Sequence, residues 1–170
     1  MSDWQRDKRW SDRFIPEIKR HLGEFLIGEP HPDEDALRNT DLTVLRLDTV
    51  RIGCRVRTND AFMSWPDEFT IRTSRPSGVD TELTKIIEGW GDYLFYAFCD
   101  PDERVLVRWT LVDLKRFRVW YMRELTRLEP GEYPGFKQRN RDGSSDFHAF
   151  NLNAMPSDLV AASSWKEAAA

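Results

Sequence analysis

Between Val50 and Arg57 the sequence VRIGCRVR alternates without a break between apolar side chains and cationic or small ones. Successive side chains of an extended chain leave opposite faces. The stretch is therefore predicted as a strand with Val50, Ile52, Cys54 and Val56 turned to a core and Arg51, Gly53, Arg55 and Arg57 to the other side. Any fold this chain adopts has to cover the first face and accommodate cations on the second. Upstream, Leu42 to Leu47 reads as a partner strand joined through a hairpin at Asp48 and Thr49, with Asp41 at its mouth. Downstream, EFTIR predicts a third strand over Phe69 to Thr73, with Phe69 and Ile71 inward and Glu68, Thr70 and Arg72 outward. The three strands are expected to form an antiparallel meander whose cationic face continues onto Arg72.

Helical spacing of Phe14, Ile18, Leu22, Phe25 and Leu26 predicts a helix from Ser11, with Pro16 in an early turn, to a stop at Gly28. After RPSG, Asp80 or Thr81 caps a helix through Leu83, Ile86 and Ile87, which the glycines of GWGD end. Strands are predicted at Tyr93 to Phe98, Val105 to Leu111 and Phe147 to Leu152, with a long helix through Leu114, Phe117, Tyr121 and Leu125 that breaks before Pro130. Gly131 to Ser145 reads as a basic loop and Pro156 to Ala162 as a helical turn. The expected architecture is one α+β domain over residues 1–164, with residues 165–170 a frayed tail. Its sheet is mostly antiparallel or mixed, the three-stranded meander plus two or three further strands, flanked by helices.

A chain of 170 residues buries roughly 70% of the surface its unfolded form exposes, so it needs no disulfide or metal to fold. Cys54 and Cys99 fall in apolar strand patterns and are read as reduced, buried thiols. Two lone cysteines and the scattered His21, His31 and His148 give no zinc-site spacing. The charged start MSDWQRDKRWSDRF lacks the apolar core of a signal peptide, and no stretch approaches the roughly 20 apolar residues of a membrane span. A cytoplasmic protein without a membrane partner is expected. The net charge of -4 argues against coating nucleic acid by bulk electrostatics. Arginines nevertheless gather at 51 to 57, 72 to 75 and 137 to 141, which permits a local basic groove on an acidic body.

The order helix, three antiparallel strands, helix, strand over residues 11–98 resembles the core of the restriction-endonuclease-like superfamily, known by its PD-(D/E)XK motif. The resemblance implies an acid opening one strand and an acid, a spacer and a lysine on the next, so that two carboxylates hold a divalent metal. Asp41 stands at the first acid's place, but Arg55, Val56 and Arg57 fall where the acid, spacer and lysine belong. A guanidinium cannot ligate a metal, so on this alignment the metal site is lost. A second alignment takes Glu68 as the acid, with Glu17 or Glu24 of the first helix as a further ligand. Compact chains of this kind also resemble small proteins of phage or prophage origin.

Three functions follow as expectations. The first is non-catalytic binding of DNA, RNA or a nucleoprotein, with Arg51, Arg55, Arg57 and Arg72 on phosphates and Lys137 and Arg139 extending the track. It needs no cofactor. The second is a magnesium-dependent nuclease using Asp41 and Glu68, with Glu17 as a third ligand. The third is a protein-interaction module or homodimer that meets its partner through Trp4, Trp10 and Trp65, the arginines then being surface residues paired with neighbouring acids. Trp90, Tyr93, Phe95, Tyr96 and Phe98 are read as core.

Overall fold

A computed structural model describes residues 3–28, 43–44, 50–74, 76, 78, 80–140 and 143–164. Two helices come first, α1 (Asp3–Asp12) and α2 (Ile15–Leu26). Ser11 belongs to α1 and does not start the second helix as expected. Its carbonyl accepts the Phe14 N–H at 3.1 Å across the turn. Pro16 falls in the first turn of α2, where its missing N–H leaves no helical hydrogen bond unmade. A short ladder then pairs β1 (Ile27–Gly28) with β2 (Thr43–Val44).

Next along the chain are β3 (Ile52–Arg57), α3 (Asn59–Ser64), β4 (Glu68–Ser74), α4 (Glu82–Ile87), β5 (Tyr93–Cys99), β6 (Leu106–Asp113) and α5 (Leu114–Leu125). The remainder holds β7 (Phe136–Arg139), β8 (Asp146–Asn151) and β9 (Val160–Ser163). One sheet has the order β3-β5-β6-β9, with β3 parallel to β5 and the other pairs antiparallel. A second, antiparallel sheet has the order β4-β8-β7. The protein is thus an α+β fold with mostly antiparallel strands, as its sequence implies.

The expected meander is not formed. β3 and β4 lie in different sheets, and Thr43–Val44 of the expected hairpin pairs with Ile27–Gly28, while Leu42 and residues 45–49 lie outside the described residues. The cause lies in β5, whose residues Leu94 to Cys99 are all buried. A strand that is apolar on both faces needs a neighbour along each edge and cover on each side. β3 and β6 take its edges. The nuclease resemblance rested on an order of paired strands that these residues do not show.

Alternation along β5 divides the core in two. Phe95, Ala97 and Cys99, with Val56 and Leu111, pack against Phe14 and Ile18 of the helical layer. Leu94, Tyr96 and Phe98, with Val112, face Phe69, Ile71, Phe117, Tyr121 and Phe150. There Phe69 stacks on Phe150 at 5.3 Å between ring centroids and meets Phe117 edge-on at 5.9 Å. Rings arranged this way add to the area they bury.

Several local expectations change. Cys54 is exposed and not buried, β3 being an edge strand among the described residues; Cys99 is buried. α3 and β7 occupy segments read as loop, and β9 follows a single turn at Ser157–Leu159. Thr81 caps α4 as expected, its side chain accepting from the Thr84 N–H. The tail 165–170 lies outside the described residues. No helix among the described residues is long and apolar enough to cross a membrane.

Candidate nucleic-acid interface

Where β3 and β4 diverge into separate sheets, their facing side chains wall a groove of about 920 Å³. α1 supplies part of its rim through Lys8, Trp10 and Ser11, and the β7–β8 connection supplies Asn140, Ser144 and Ser145. Among the described residues four cations, Lys8, Arg55, Arg57 and Arg72, line the groove against one carboxylate, Glu103. That carboxylate is already engaged. It accepts the Trp10 indole N–H at 2.7 Å and pairs with the Arg13 guanidinium. Trp10 first and Arg13 second hold the Glu103 carboxyl below the usual glutamate range. Lys8 in turn pairs with Asp12 at 2.6 Å.

Arg55 is fixed on both prongs of its fork. Nη1 donates to the Thr70 carbonyl at 2.8 Å, and Nη2 to Glu82 Oε2 at 2.6 Å. The same carboxylate oxygen accepts the Arg72 backbone N–H at 3.1 Å, so Glu82 fastens β3 to β4. Arg57 is held far more loosely. Its Nη1 donates to Thr70 Oγ1 at 3.4 Å, and among the described residues it has no carboxylate partner. Thr70 was expected to face outward, yet it is buried, because β4 is covered on both sides. Its hydroxyl also lies 3.3 Å from that of Tyr96.

The other predicted cations are not brought to the groove. Arg51 immediately precedes β3; its backbone N–H donates to Asp92 Oδ2 at 2.8 Å and its guanidinium sits 5.5 Å over the Trp90 ring. That backbone hydrogen bond is the main reason the Asp92 carboxyl lies below its ordinary range. Lys137 and Arg139 alternate with Gln138, which borders a small cavity beside the groove, and so leave the opposite side of β7. Both reach Asp146 instead, at 3.8 Å and 3.6 Å. The expected extension of the track is therefore corrected to a separate surface ion-pair cluster.

The predicted metal ligands are also apart. Glu17 lies on the helical layer, its Oε2 accepting the Leu106 N–H at 3.0 Å. Glu68 borders the small cavity with Tyr96 and Phe98, and burial raises its carboxyl pKa. The two acids thus occupy opposite sides of β5, and Asp41 lies outside the described residues. Among the described residues no three His, Cys, Asp or Glu side chains form a metal-binding group. A joint Glu17–Glu68 site is excluded by this geometry.

Trp65 is exposed, as expected for a contact residue, but so is Trp90, which the sequence assigned to the core. Sequence reasoning missed Glu82 and Lys8, which show there only as a first-turn acid and one cation in a mixed run. It also missed Phe147, which borders both the groove and the small cavity. No protein-family model matches the chain, and neither curated proteins nor solved structures show a significant match to it. What the fold and site define is a class: an α+β protein with a cationic groove between its two larger sheets.

Proposed function

We propose that the protein binds nucleic acid through the sugar–phosphate backbone, without cutting it, in the groove between β3 and β4. The observation that carries this reading is Arg57, a guanidinium in the groove wall that is held, among the described residues, by a hydroxyl at 3.4 Å alone. Its planar fork keeps donors for a phosphate, which two parallel charge-assisted hydrogen bonds hold well. Arg55 and Arg72 share the same wall, and the one acid that lines it among the described residues, Glu103, is committed to Trp10 and Arg13.

Fluorescence anisotropy with labelled DNA and RNA, repeated as salt is raised, tests this reading. Affinity is expected to fall linearly on logarithmic axes, and Arg57→Ala to lower the slope by about 0.7 on a single strand or about 0.9 on a duplex. An unchanged slope and affinity in that variant would overturn the proposal, and so would shortening of the labelled strand when magnesium is added.

A further inference from the structure

The three strands of the second sheet put a cation, a ring and an amide in one line. Arg72 pairs directly with Phe147 across β4 and β8, and Phe147 pairs with Gln138 across β8 and β7. Directly opposed residues of antiparallel strands share a face, and neighbouring strands lie about 4.8 Å apart. The row from Arg72 to Gln138 therefore spans about 10 Å. The next row on that face is Thr70, Ala149 and Phe136. Phe136 is 66% exposed, an aromatic ring left uncovered on an edge strand. Trp65, 52% exposed, borders the same small cavity as Phe147 and Gln138. Arg57 borders both that cavity and the groove, so the phosphate-binding wall and the aromatic face are continuous.

We infer that this face is a base-stacking platform, and that the nucleic acid taken by the groove is single-stranded. The inference rests on the backbone reading above and adds the bases to it. Phosphates on Arg57 and Arg72 leave the attached bases within reach of Phe147 and Phe136, with the Gln138 amide beside Phe147 to meet a base edge. A duplex cannot use such a surface, because its base faces are stacked on one another. An unpaired strand offers them freely, and every base has a π-face, so the platform tolerates any sequence. The cavity beside Phe147, about 40 Å³, holds little more than a water and does not enclose a base. Contact is therefore with the β7 end of this face, where Phe136 and Gln138 are exposed while Thr70 and Ala149 are buried, and not with a pocket that selects one base.

The test compares three labelled probes of about 12 nucleotides: a single strand, the same strand with abasic sites at its centre, and the matching duplex. The base-bearing strand is expected to bind about tenfold more tightly than either of the others. Phe136→Ala, at an exposed position that leaves the fold intact, is expected to remove most of that advantage while abasic affinity stays the same, and Phe136→Trp to restore it. Equal, salt-sensitive binding of abasic and base-bearing strands overturns the platform and leaves the backbone reading standing. Duplex binding as tight as the single strand also overturns it. Failure of all three probes to bind removes both.

Discussion

His148 is buried on the side of β8 that carries Phe150, with its ring Nδ1 3.1 Å from the Pro134 carbonyl oxygen. A carbonyl oxygen only accepts, so Nδ1 carries the hydrogen and Nε2 is bare in the neutral ring. Burial is the leading influence and holds the His148 pKa below the usual histidine value, against the opposing pull of the Pro134 hydrogen bond. As pH falls, the unfolded chain therefore takes up its proton first. Stability from the neutral ring is complete above about pH 6.5 and is lost as pH falls from there toward the folded value. A denaturation midpoint that drops between pH 7 and pH 5 is the expected result. His148→Asn keeps an amide donor near the Nδ1 position without a titrating proton, and should flatten that dependence; the same drop in the variant would refute the assignment. Single residues also show how far alternation reads. It placed Arg55, Arg57 and Arg72 on groove-facing positions, yet misjudged Thr70 and Cys54, because period 2 separates two faces without saying what covers either.

Elements with a strong period were legible and those without one were not. The strands at β5, β6 and β8 and the helix α5 fall on segments whose apolar spacing is unambiguous. β7 has four exposed residues, FKQR, and so no buried face to leave a pattern. What fixes β7 is its neighbour. Gly135 precedes it with φ at +87°, and a Cβ there would lie 2.8 Å from the Ala149 carbonyl oxygen and 2.8 Å from the Phe150 ring. Both obstacles belong to β8, a buried strand that cannot yield readily. Gly135→Ala is accordingly expected to destabilise the fold by about 1–3 kcal/mol through the backbone conformation alone, with the contact adding to it. Because β7 carries Phe136 and Gln138, the same substitution should weaken single-strand binding. Thermal denaturation beside the anisotropy titration checks both; a variant as stable as the parent would show that β7 is free to shift.

At the scale of the whole molecule, the pairing of β3 with β5 decides where the groove lies, and no local pattern encodes it. The two strands are joined in parallel across an intervening helix, a strand of the other sheet and a second helix, so only burial of β5 on both faces selects the partner. The helical layer is placed by a similar long-range contact. Trp10 and Arg13 close on Glu103 in the turn between β5 and β6, where Asp100 accepts the Arg104 and Val105 N–H groups at 2.6 Å and 3.0 Å. Glu103 itself has φ +54°, a left-handed conformation that non-glycine residues adopt at some cost and that the surrounding contacts must hold. This clamp matters for the groove because α1 brings Lys8 and Trp10 to its rim. The Glu103 carboxyl lies below the usual glutamate range, with the Trp10 N–H as the larger cause. Its contribution is therefore fully present above about pH 4.3 and lost as pH falls through the folded value. Hydrogen exchange of the α1 amides, followed from pH 5 to pH 3 with correction for intrinsic rates, should show protection failing before the rest of the fold. In Glu103→Gln the amide oxygen can still accept from Trp10, but the ion pair with Arg13 is gone. Lower protection at neutral pH and no further loss on acidification are expected there. Protection equal to that of the parent at every pH would mean that the apolar contacts of Phe14 and Ile18 alone hold the helical layer against the sheet.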